Sequence, residues 1–456
     1  MEKNSSLLSK YVSGELHFWV WGVISRCMGW VNSFIIITSL SIYQYGIFQL
    51  FLTAYSALTD FISWGGLAAG TETLRFVGEG KESSAKRLFI EFNILRIVSA
   101  IALWALFFFG ASFLSFRYGV DFIDLIKVMS FMFLGEAFLA ALKSLVNMRL
   151  DFRSIASRSA SGKFFQFGVL VWFLVYGTVG LKAVFLSLVI GHILSSFALL
   201  PAAIRAWKPW KTVSAERGRV ILWQIAKAHG KWESIRNFSS QIVSRAEPWL
   251  IKFFISTEAV GIFGVASALA DAVMNIVPTK TISTIITRIF HDKERSKRAF
   301  LYSVKYFVFV GVISSLGAVV VAPIAIHVFL PAYISALPFF YLLIAVVPVK
   351  ALLQMVDLFL IVYRQQKFAF FRMLSRNIVI LGLLLVLLPT MGLWGVAWTE
   401  IIMRVSFVYV SYKFLIKLKP EFRLTLKDLL SFTGQDRRIV KAVWANFFAF
   451  FRRASA

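Results

Sequence analysis

Apolar stretches long enough to cross a lipid bilayer recur from one end of the sequence to the other. A spanning helix takes roughly 20 apolar residues, because it rises about 1.5 Å per residue through a hydrocarbon core of about 30 Å. Hydrophobic residues make up 59% of the chain and charged residues only 16%. The sequence therefore predicts an all-α polytopic membrane protein of about twelve helices. The predicted spans are 17–41, 44–69, 90–115, 122–146, 158–178, 182–204, 236–256, 259–284, 301–328, 334–362, 369–390 and 393–416.

The basic residues between these spans indicate the orientation of the helices. The formal net charge is +26, which in a soluble protein would suggest a nucleic-acid partner. Here Lys and Arg concentrate before the first span, in every second connecting segment and in the tail. The loops on the other side hold few, such as Arg117 and Lys182. Because cytoplasmic loops carry an excess of Lys and Arg, both termini are expected in the cytoplasm, and no nucleic-acid partner is expected.

Three segments of the first half recur in the same order in the second half. Each pair shares its pattern of residue types, and the separation along the chain is nearly constant. This repetition predicts the duplication of a six-helix unit, giving two six-helix bundles related by a pseudo-twofold axis along the membrane normal. Two such bundles with a cleft between them suit transport by alternating access. The matching segments are 24–36 with 243–255, 45–48 with 260–263, and 177–181 with 389–393.

The repeat and the loop lengths divide the chain into four predicted parts. These are an N-terminal bundle (1–205), a cytoplasmic connecting segment (206–235), a C-terminal bundle (236–418) and a basic tail (419–456). Apolar residues recur at helical spacing in the tail, with Lys and Arg around them. This pattern predicts an interfacial helix on an anionic leaflet; a disordered basic tail is the alternative.

Two deep arginines occupy equivalent positions in the repeat. Arg26 and Arg245 each lie in the first helix of their half, so the pseudo-twofold would bring them face to face across the central cleft. The planar guanidinium fork matches phosphate oxygens, and a pair of them would hold a pyrophosphate. Lys350 is the third cation predicted to bind it in the cleft. Alternatively, the arginines form structural ion pairs, Arg26 with Asp60 or Glu136, and Arg245 with Glu247 or Asp271.

Acidic residues at bilayer depth are the second set of candidates. A charge there costs roughly 2.5–3.5 kcal/mol or more, so such residues usually face a cavity. The set consists of Asp60, Glu136, Asp271 and Asp357, each a candidate for Na⁺ or H⁺ coupling or a cavity charge. Asp271 is the first choice for coupling, and a packing role is equally open.

The remaining polar residues in the spans suit structural roles. Glu400 and Arg404 have the spacing of an intrahelical pair, and for His192 an interhelical hydrogen bond is favoured over a proton relay. The sequence contains no glycine-rich nucleotide loop and no metal-ligand spacing. It also lacks a nucleophile with a partnered His, and it holds a single cysteine, Cys27. It therefore predicts a protein that is not an enzyme and has no cofactor beyond a coupling ion.

Four short motifs occur near the ends of the predicted spans. They are Tyr45-Gly46-Ile47-Phe48, Gly65-Gly66-Leu67, Arg75 with Gly78-Glu79-Gly80, and Gly392-Leu393-Trp394-Gly395-Val396-Ala397. These motifs resemble those of the Wzx-type O-antigen and polysaccharide flippases. This family belongs to the multidrug/oligosaccharidyl-lipid/polysaccharide (MOP) exporter superfamily, whose fold is two six-helix bundles.

The resemblance implies translocation of an undecaprenyl-pyrophosphate-linked oligosaccharide across the bacterial inner membrane, for O-antigen of lipopolysaccharide or another polysaccharide. The implied partners are the lipid-linked substrate, the bilayer, and the polysaccharide polymerase and chain-length machinery. In the related lipid II flippases, arginines on the first helix of each half contact the pyrophosphate, and Arg26 and Arg245 are similarly placed. A cation-coupled multidrug antiporter of the same fold is one alternative. A membrane-embedded glycan polymerase or ligase is another, although such proteins usually carry a large periplasmic loop.

Overall fold

The computed structural model of the chain describes eight stretches, and all secondary structure within them is helical. Short 3₁₀ helices occupy Lys208–Trp210, Pro331–Ala336 and Pro420–Phe422. The stretches are 2–62, 66–118, 121–149, 151–214, 222–223, 245–274, 293–363 and 365–425. The α-helices are α1 (Glu2–Ser39), α2 (Ile42–Ile62), α3 (Gly66–Gly78), α4 (Glu82–Tyr118), α5 (Asp121–Met148), α6 (Phe152–Tyr176), α7 (Leu181–Trp207), α8 (residues 245–254), α9 (Thr257–Met274), α10 (Lys293–Phe329), α11 (Leu337–Ala345), α12 (Val347–Val362), α13 (Gln366–Met391) and α14 (Leu393–Leu418).

Every predicted span has helix at its position in the described stretches. Eight described segments are long and apolar enough to cross a membrane. The other four predicted spans correspond to α2, α6, α8 and α14, which carry more polar residues or are described over a shorter length. Two predicted spans are each described as a pair of helices. Span 44–69 corresponds to α2 and α3, and span 334–362 to α11 and α12, which meet at Val346. Pro348, which lacks a backbone N–H, fits the first turn of α12.

The exposure of side chains on α4 is the reverse of that on a helix of a soluble protein. Leu106, Phe109 and Phe113 are 64%, 72% and 85% exposed, whereas Asn93 and Arg96 are 7% and 6% exposed. Exposed apolar surface of this extent is stable when lipid covers it. Asn93 and Arg96 therefore lie against protein, and the exposed apolar residues of this helix face the bilayer.

The segment 75–80, part of the flippase-like motif set, forms the end of α3. Gly80 has a φ of +77°, a left-handed conformation that favours glycine. Its N–H donates to the Val77 carbonyl (3.2 Å), and the Lys81 N–H donates to the Phe76 carbonyl (2.9 Å). These two hydrogen bonds are the Schellman pattern of a helix C-terminus, so this glycine has a structural role.

The helices of the first half pack against one another. Helix α5 contacts α4 and α7, α6 contacts α1 and α7, and α3 contacts α4. A buried cluster that includes Leu145, Val146, Leu199 and Trp210 lies at the ends of these helices that are predicted to be cytoplasmic.

The beginning of the connecting segment is anchored to this cluster. The Trp210 indole N–H donates to the Glu82 carboxylate, which also pairs with Arg149 at 3.2 Å. The Lys86 ammonium donates to the carbonyls of Trp210 (2.7 Å) and Val213 (2.6 Å). These contacts hold the start of the connector on α4 and α5. Most of the predicted connecting segment after it, and the predicted interfacial helix of the tail, lie outside the described residues.

Contacts divide the chain into two compact units that cut across the predicted bundles. The predicted boundaries at 205 and 236 follow the repeat, and they stay a prediction. Unit 1 consists of 1–272, 321–341 and 372–399, and unit 2 consists of 273–320, 342–371 and 400–456. Within unit 2, the Phe300 ring lies 4.8 Å from that of Phe359 and 5.0 Å from that of Phe422. The Ser315 hydroxyl donates to the Ile344 carbonyl at 3.2 Å.

The two sequence halves meet within unit 1 at a pair of repeat-related glycines. A Cβ atom at Gly46 of α2 would overlap the backbone carbonyl of Thr257, and a Cβ atom at Gly261 of α9 would overlap that of Ile42. Thr257 lies one helical turn before Gly261, and Ile42 lies one turn before Gly46. The contact is therefore reciprocal, as the pseudo-twofold predicts. Only glycine permits backbones to approach so closely in a membrane helix pair.

An aromatic contact accompanies this glycine crossing. The Tyr333 hydroxyl donates to the Leu40 carbonyl at 3.3 Å, and the rings of Tyr333 and Tyr45 lie 6.1 Å apart. Tyr45 is the first residue of the Tyr-Gly-x-Phe motif, so this motif forms part of the contact between the halves.

Replacement of Gly46 tests this crossing. Gly46→Ala should lower the apparent Tm of the purified protein by several degrees, because relieving the overlap separates two helices at a cost of about 1–3 kcal/mol. Gly168→Ala is the matched control, since a Cβ at this helical glycine would have open space around it. It should leave the apparent Tm unchanged or slightly raised. Equal Tm values for both variants in thermal unfolding would contradict the close crossing.

Candidate functional site

Asp60 and Arg245 form an ion pair between the two sequence halves, within unit 1. The Arg245 Nη2 lies 3.5 Å from the Asp60 Oδ2, and the two side chains are 30% and 41% exposed. The Arg245 Nε is buried and has no hydrogen-bond partner among the described residues. A bidentate Arg–carboxylate pair uses two short hydrogen bonds, whereas this pair has one long contact. The guanidinium therefore keeps donors for a further anion.

This pair differs from the ones that the sequence suggested. The alternative interpretation of the sequence paired Arg26 with Asp60 or Glu136, and Arg245 with Glu247 or Asp271. The latter two acids also have interactions of their own in the structure. The pairing of Asp60 with Arg245 arises because α2 approaches the second half at the glycine crossing, a contact that no local pattern specifies.

The other predicted site residues are distributed over both units. Arg26 is exposed on α1, and Asp271 is exposed near the end of α9, both in unit 1. Lys350 and Asp357 are half-buried on α12 in unit 2. The predicted binding of substrate by Arg26, Arg245 and Lys350 stays a prediction.

Glu136 of α5 and His192 of α7 form a second polar contact. The His192 Nε2 lies 2.7 Å from the Glu136 Oε2, and both side chains are roughly a quarter exposed. An interhelical hydrogen bond of His192 was the favoured sequence interpretation, and the structure contains it. Glu136, considered from sequence as a partner of Arg26, pairs with this histidine.

Three cations stabilise the charge of this one carboxylate. Arg158 and Lys143 interact favourably with the charge of Glu136, and so does Arg96. The Arg158 Nη2 also donates to the Ser195 hydroxyl at 3.1 Å. One carboxylate therefore compensates the charge of several cations, and the interior of the N-terminal helices carries an excess of positive charge.

A polar contact also joins α1 to α6. Asn32 is 2% exposed, and its amide donates to the Lys163 carbonyl (2.9 Å) and to the Gln166 Oε1 (3.3 Å). The Lys163 ammonium lies 3.5 Å from the same Gln166 oxygen. This network adds another cation at the contact of these helices.

Three of these cations were missed at the sequence level. Arg96 lies within the predicted span 90–115, and Arg158 and Lys163 lie at the beginning of the predicted span 158–178. The available signal was a cation within a run of apolar residues. This signal is weak, because the long side chains of cations near the ends of a span usually extend to the membrane–water interface. Among the described residues, no group of His, Cys, Asp and Glu side chains has the arrangement of a metal site.

The family follows from a match that covers more than half of the chain. The model of the polysaccharide biosynthesis protein family matches residues 40–335. The chain belongs to this family. The matched region contains the glycine crossing, the Asp60–Arg245 pair and the Glu136–His192 pair, whereas Arg26, Lys350 and Asp357 lie outside it. A search of curated proteins finds no match.

Solved structures show the fold of this family member. The lipid II flippase MurJ in an inward closed conformation is 15% identical, with a TM-score of 0.71, over 96% of this chain and 99% of that one. A multidrug resistance MATE family transporter of the MOP superfamily, in an inward-facing conformation, is 13% identical, with a TM-score of 0.70, over 87% and 95%. A MOP superfamily transporter from Pyrococcus furiosus is 12% identical, with a TM-score of 0.62, over 90% and 96%.

These similarities establish the architecture. The chain is a multi-pass membrane protein with the all-α fold of the MATE transporters and MurJ, about twelve transmembrane helices in two bundles. Family and fold together support a flippase or transporter of the MOP type.

A charge reversal tests the pair between the halves. Asp60→Arg and Arg245→Asp should each lower the apparent Tm, because each places like charges together. The double reversal should recover most of the loss, with a coupling energy of about 0.5–1 kcal/mol. Thermal unfolding of the four proteins gives this cycle. The exposed pair Lys182–Asp124 (2.7 Å) is the control, and its single reversals should change little. Strict additivity for Asp60 and Arg245 would rule out their direct interaction.

Proposed function

We propose that this protein translocates an undecaprenyl-pyrophosphate-linked oligosaccharide between the leaflets of the bacterial inner membrane by alternating access. The observation that carries the proposal is the Arg245 guanidinium, half-buried where the two sequence halves meet and held by Asp60 through one long contact. Membership of the polysaccharide biosynthesis family supports the substrate class.

The substrate sets a physical problem to which a cationic site is suited. Its polar head cannot cross hydrocarbon unaided, whereas its prenyl tail has no need to leave the lipid. A protein cleft that holds the pyrophosphate would carry the head, and the tail would move alongside in the bilayer. The binding groups must be cations that are available to an anion, since a cation locked in a tight ion pair offers nothing.

Arg245 meets that requirement through competition. A pyrophosphate carries more negative charge than one carboxylate and accepts several hydrogen bonds, so it would displace Asp60 from the guanidinium. Asp60 would pair with Arg245 again after release. We assign Arg26, its repeat equivalent, and Lys350 to the same binding function.

The remaining assignments concern coupling, topology and partners. Asp60, Glu136, Asp271 and Asp357 are proposed as Na⁺ or H⁺ coupling groups or cavity charges, with both chain termini in the cytoplasm. Polysaccharide polymerase and chain-length machinery, in O-antigen or related synthesis, are the proposed protein partners. The protein is proposed to act without enzymatic chemistry or a cofactor.

Removal of the Arg245 side chain tests the proposal directly. Arg245→Ala should weaken binding of radiolabelled undecaprenyl pyrophosphate to the purified protein by about tenfold or more, since a hydrogen bond to a charged group contributes about 1.5–3 kcal/mol. Arg26→Ala should act in the same direction, and Arg245→Lys should keep part of the affinity. Surface polysaccharide should fall in parallel in cells that depend on each variant at confirmed expression.

Lys182→Gln is the control for these arginine variants, because it removes an exposed cation that lies far from both arginines in the sequence. It should match the wild-type protein in both assays. Wild-type binding and wild-type polysaccharide in both arginine variants would refute the proposed binding site.

Neutralisation of Asp60 distinguishes the proposed flippase from a multidrug antiporter. Asp60→Asn should tighten binding of undecaprenyl pyrophosphate several-fold, because Arg245 no longer has a competing carboxylate. A multidrug antiporter would use the same carboxylate to attract cationic amphiphiles, so the variant would lose export of ethidium. Weaker pyrophosphate binding together with lost ethidium export would favour the antiporter.

A further inference from the structure

A small chamber with both apolar and polar lining residues lies within the N-terminal helices, and neither Asp60 nor Arg245 lines it. It has a volume of about 50 Å³ and is formed by residues of α3, α4 and α5. At about 10–15 Å³ for each water-sized sphere, this space takes about three to five water molecules or one tetrahedral ion. Its polar lining consists of Thr73, Asn93, Arg96, Ser144 and Asn147.

The charge of this chamber comes from Arg96. The side chain is 6% exposed, and its Nη1 donates to the neutral Asn93 Oδ1 at 3.1 Å. The guanidinium carbon lies 4.4 Å from the centre of the Phe92 ring. Its Nε is buried and has no hydrogen-bond partner among the described residues. An amide and a ring support this guanidinium directly, whereas the charge of Glu136 acts on it without forming an ion pair, so it lacks an adjacent counter-charge.

Three described acids of the helices that form the chamber are already engaged. On α3, Glu72 pairs with Arg75 at 3.3 Å, and on α4, Glu91 pairs with Arg87 at 2.7 Å. On α5, Glu136 is bound by His192. In the described part of the chain, no carboxylate forms an ion pair with Arg96. An external anion would supply the missing charge.

The other lining groups provide suitable donors at an accessible site. Asn147 is exposed and lies one residue before the end of α5, next to a loop that is predicted to be cytoplasmic. Its amide and the Arg96 guanidinium are donors. The hydroxyls of Thr73 and Ser144 now donate to the carbonyls of Ala69 and Ala141, and a hydroxyl can rotate toward an anion.

We propose that this chamber binds a single phosphate-sized oxyanion, with Arg96 as the charged ligand and Asn147 at the entrance. The phosphate is free orthophosphate from the cytoplasm or the headgroup of a phosphomonoester lipid in the adjacent leaflet. The site is separate from the proposed substrate-binding pair, and its test uses no transport measurement.

Equilibrium dialysis of the purified full-length protein with ³²P-orthophosphate tests the site. Wild-type protein should bind about one phosphate per chain and show a saturable rise in apparent Tm of a few degrees. Sodium chloride at matched ionic strength should give no such rise, and sulfate should give one, since it shares the tetrahedral shape. An equal response to chloride, or no phosphate binding, overturns the proposal.

Two variants and one control assign the binding to the chamber. Arg96→Gln should weaken phosphate binding at least tenfold. Asn147→Asp, an exposed change that leaves the core intact, should also weaken it by placing a negative charge at the entrance. Arg75→Gln removes an exposed arginine of α3 and should bind as wild type does. Wild-type affinity in Asn147→Asp refutes the chamber even where Arg96→Gln fails to fold.

Nanodiscs distinguish the two sources of phosphate. Phosphatidic acid at about one-tenth of the lipid should compete with ³²P-orthophosphate if the headgroup enters the chamber, and this competition should vanish in Arg96→Gln. Absence of competition, with orthophosphate binding intact, assigns the site to the free ion. Competition that persists in Arg96→Gln contradicts the proposed site.

Discussion

Hydrocarbon cannot form hydrogen bonds with peptide groups, and this property governs the arrangement of the whole chain. Backbone N–H and C=O groups at bilayer depth must bond within their own segment, so the described residues form helices with few exceptions. The same property places the side chains, because apolar ones can face lipid whereas polar ones need partners within the protein. Apolar residues such as Phe109 and Phe113 are exposed, and polar residues of the same helix, such as Arg96, are covered by neighbouring helices.

The glycine crossing gives this helical array a fixed contact between its halves. Apolar side chains gain little from one another in lipid, because the lipid tails are equally apolar, so close backbone packing has greater weight. Gly46 and Gly261 allow such packing in a reciprocal form. Because α2 approaches the second half at this place, Asp60 further along α2 comes within reach of Arg245.

The charges inside the protein have two different arrangements. Asp60 and Arg245 form a loose pair that an anion with several oxygens can open. Around Glu136, by contrast, several cations including Arg96 share one acid, and no carboxylate in the described stretches forms a direct ion pair with Arg96. Excess positive charge in a low-dielectric interior attracts anions strongly. Both the proposed substrate site and the proposed oxyanion chamber depend on this imbalance.

The sequence by itself determined the helical class, the approximate spans and the duplicated unit, because each depends on local composition or on a repeated order of residues. It also placed Gly46 and Gly261 at equivalent positions. The tertiary structure decided which side chains meet. Asp60 pairs with Arg245, although no spacing in the sequence relates the two residues. Arg96 is covered by α3 and α5, whereas a hydropathy window averages its charge with the apolar residues around it. Pairing and burial depend on which helix faces pack together, and that choice depends on contacts between residues far apart in the chain.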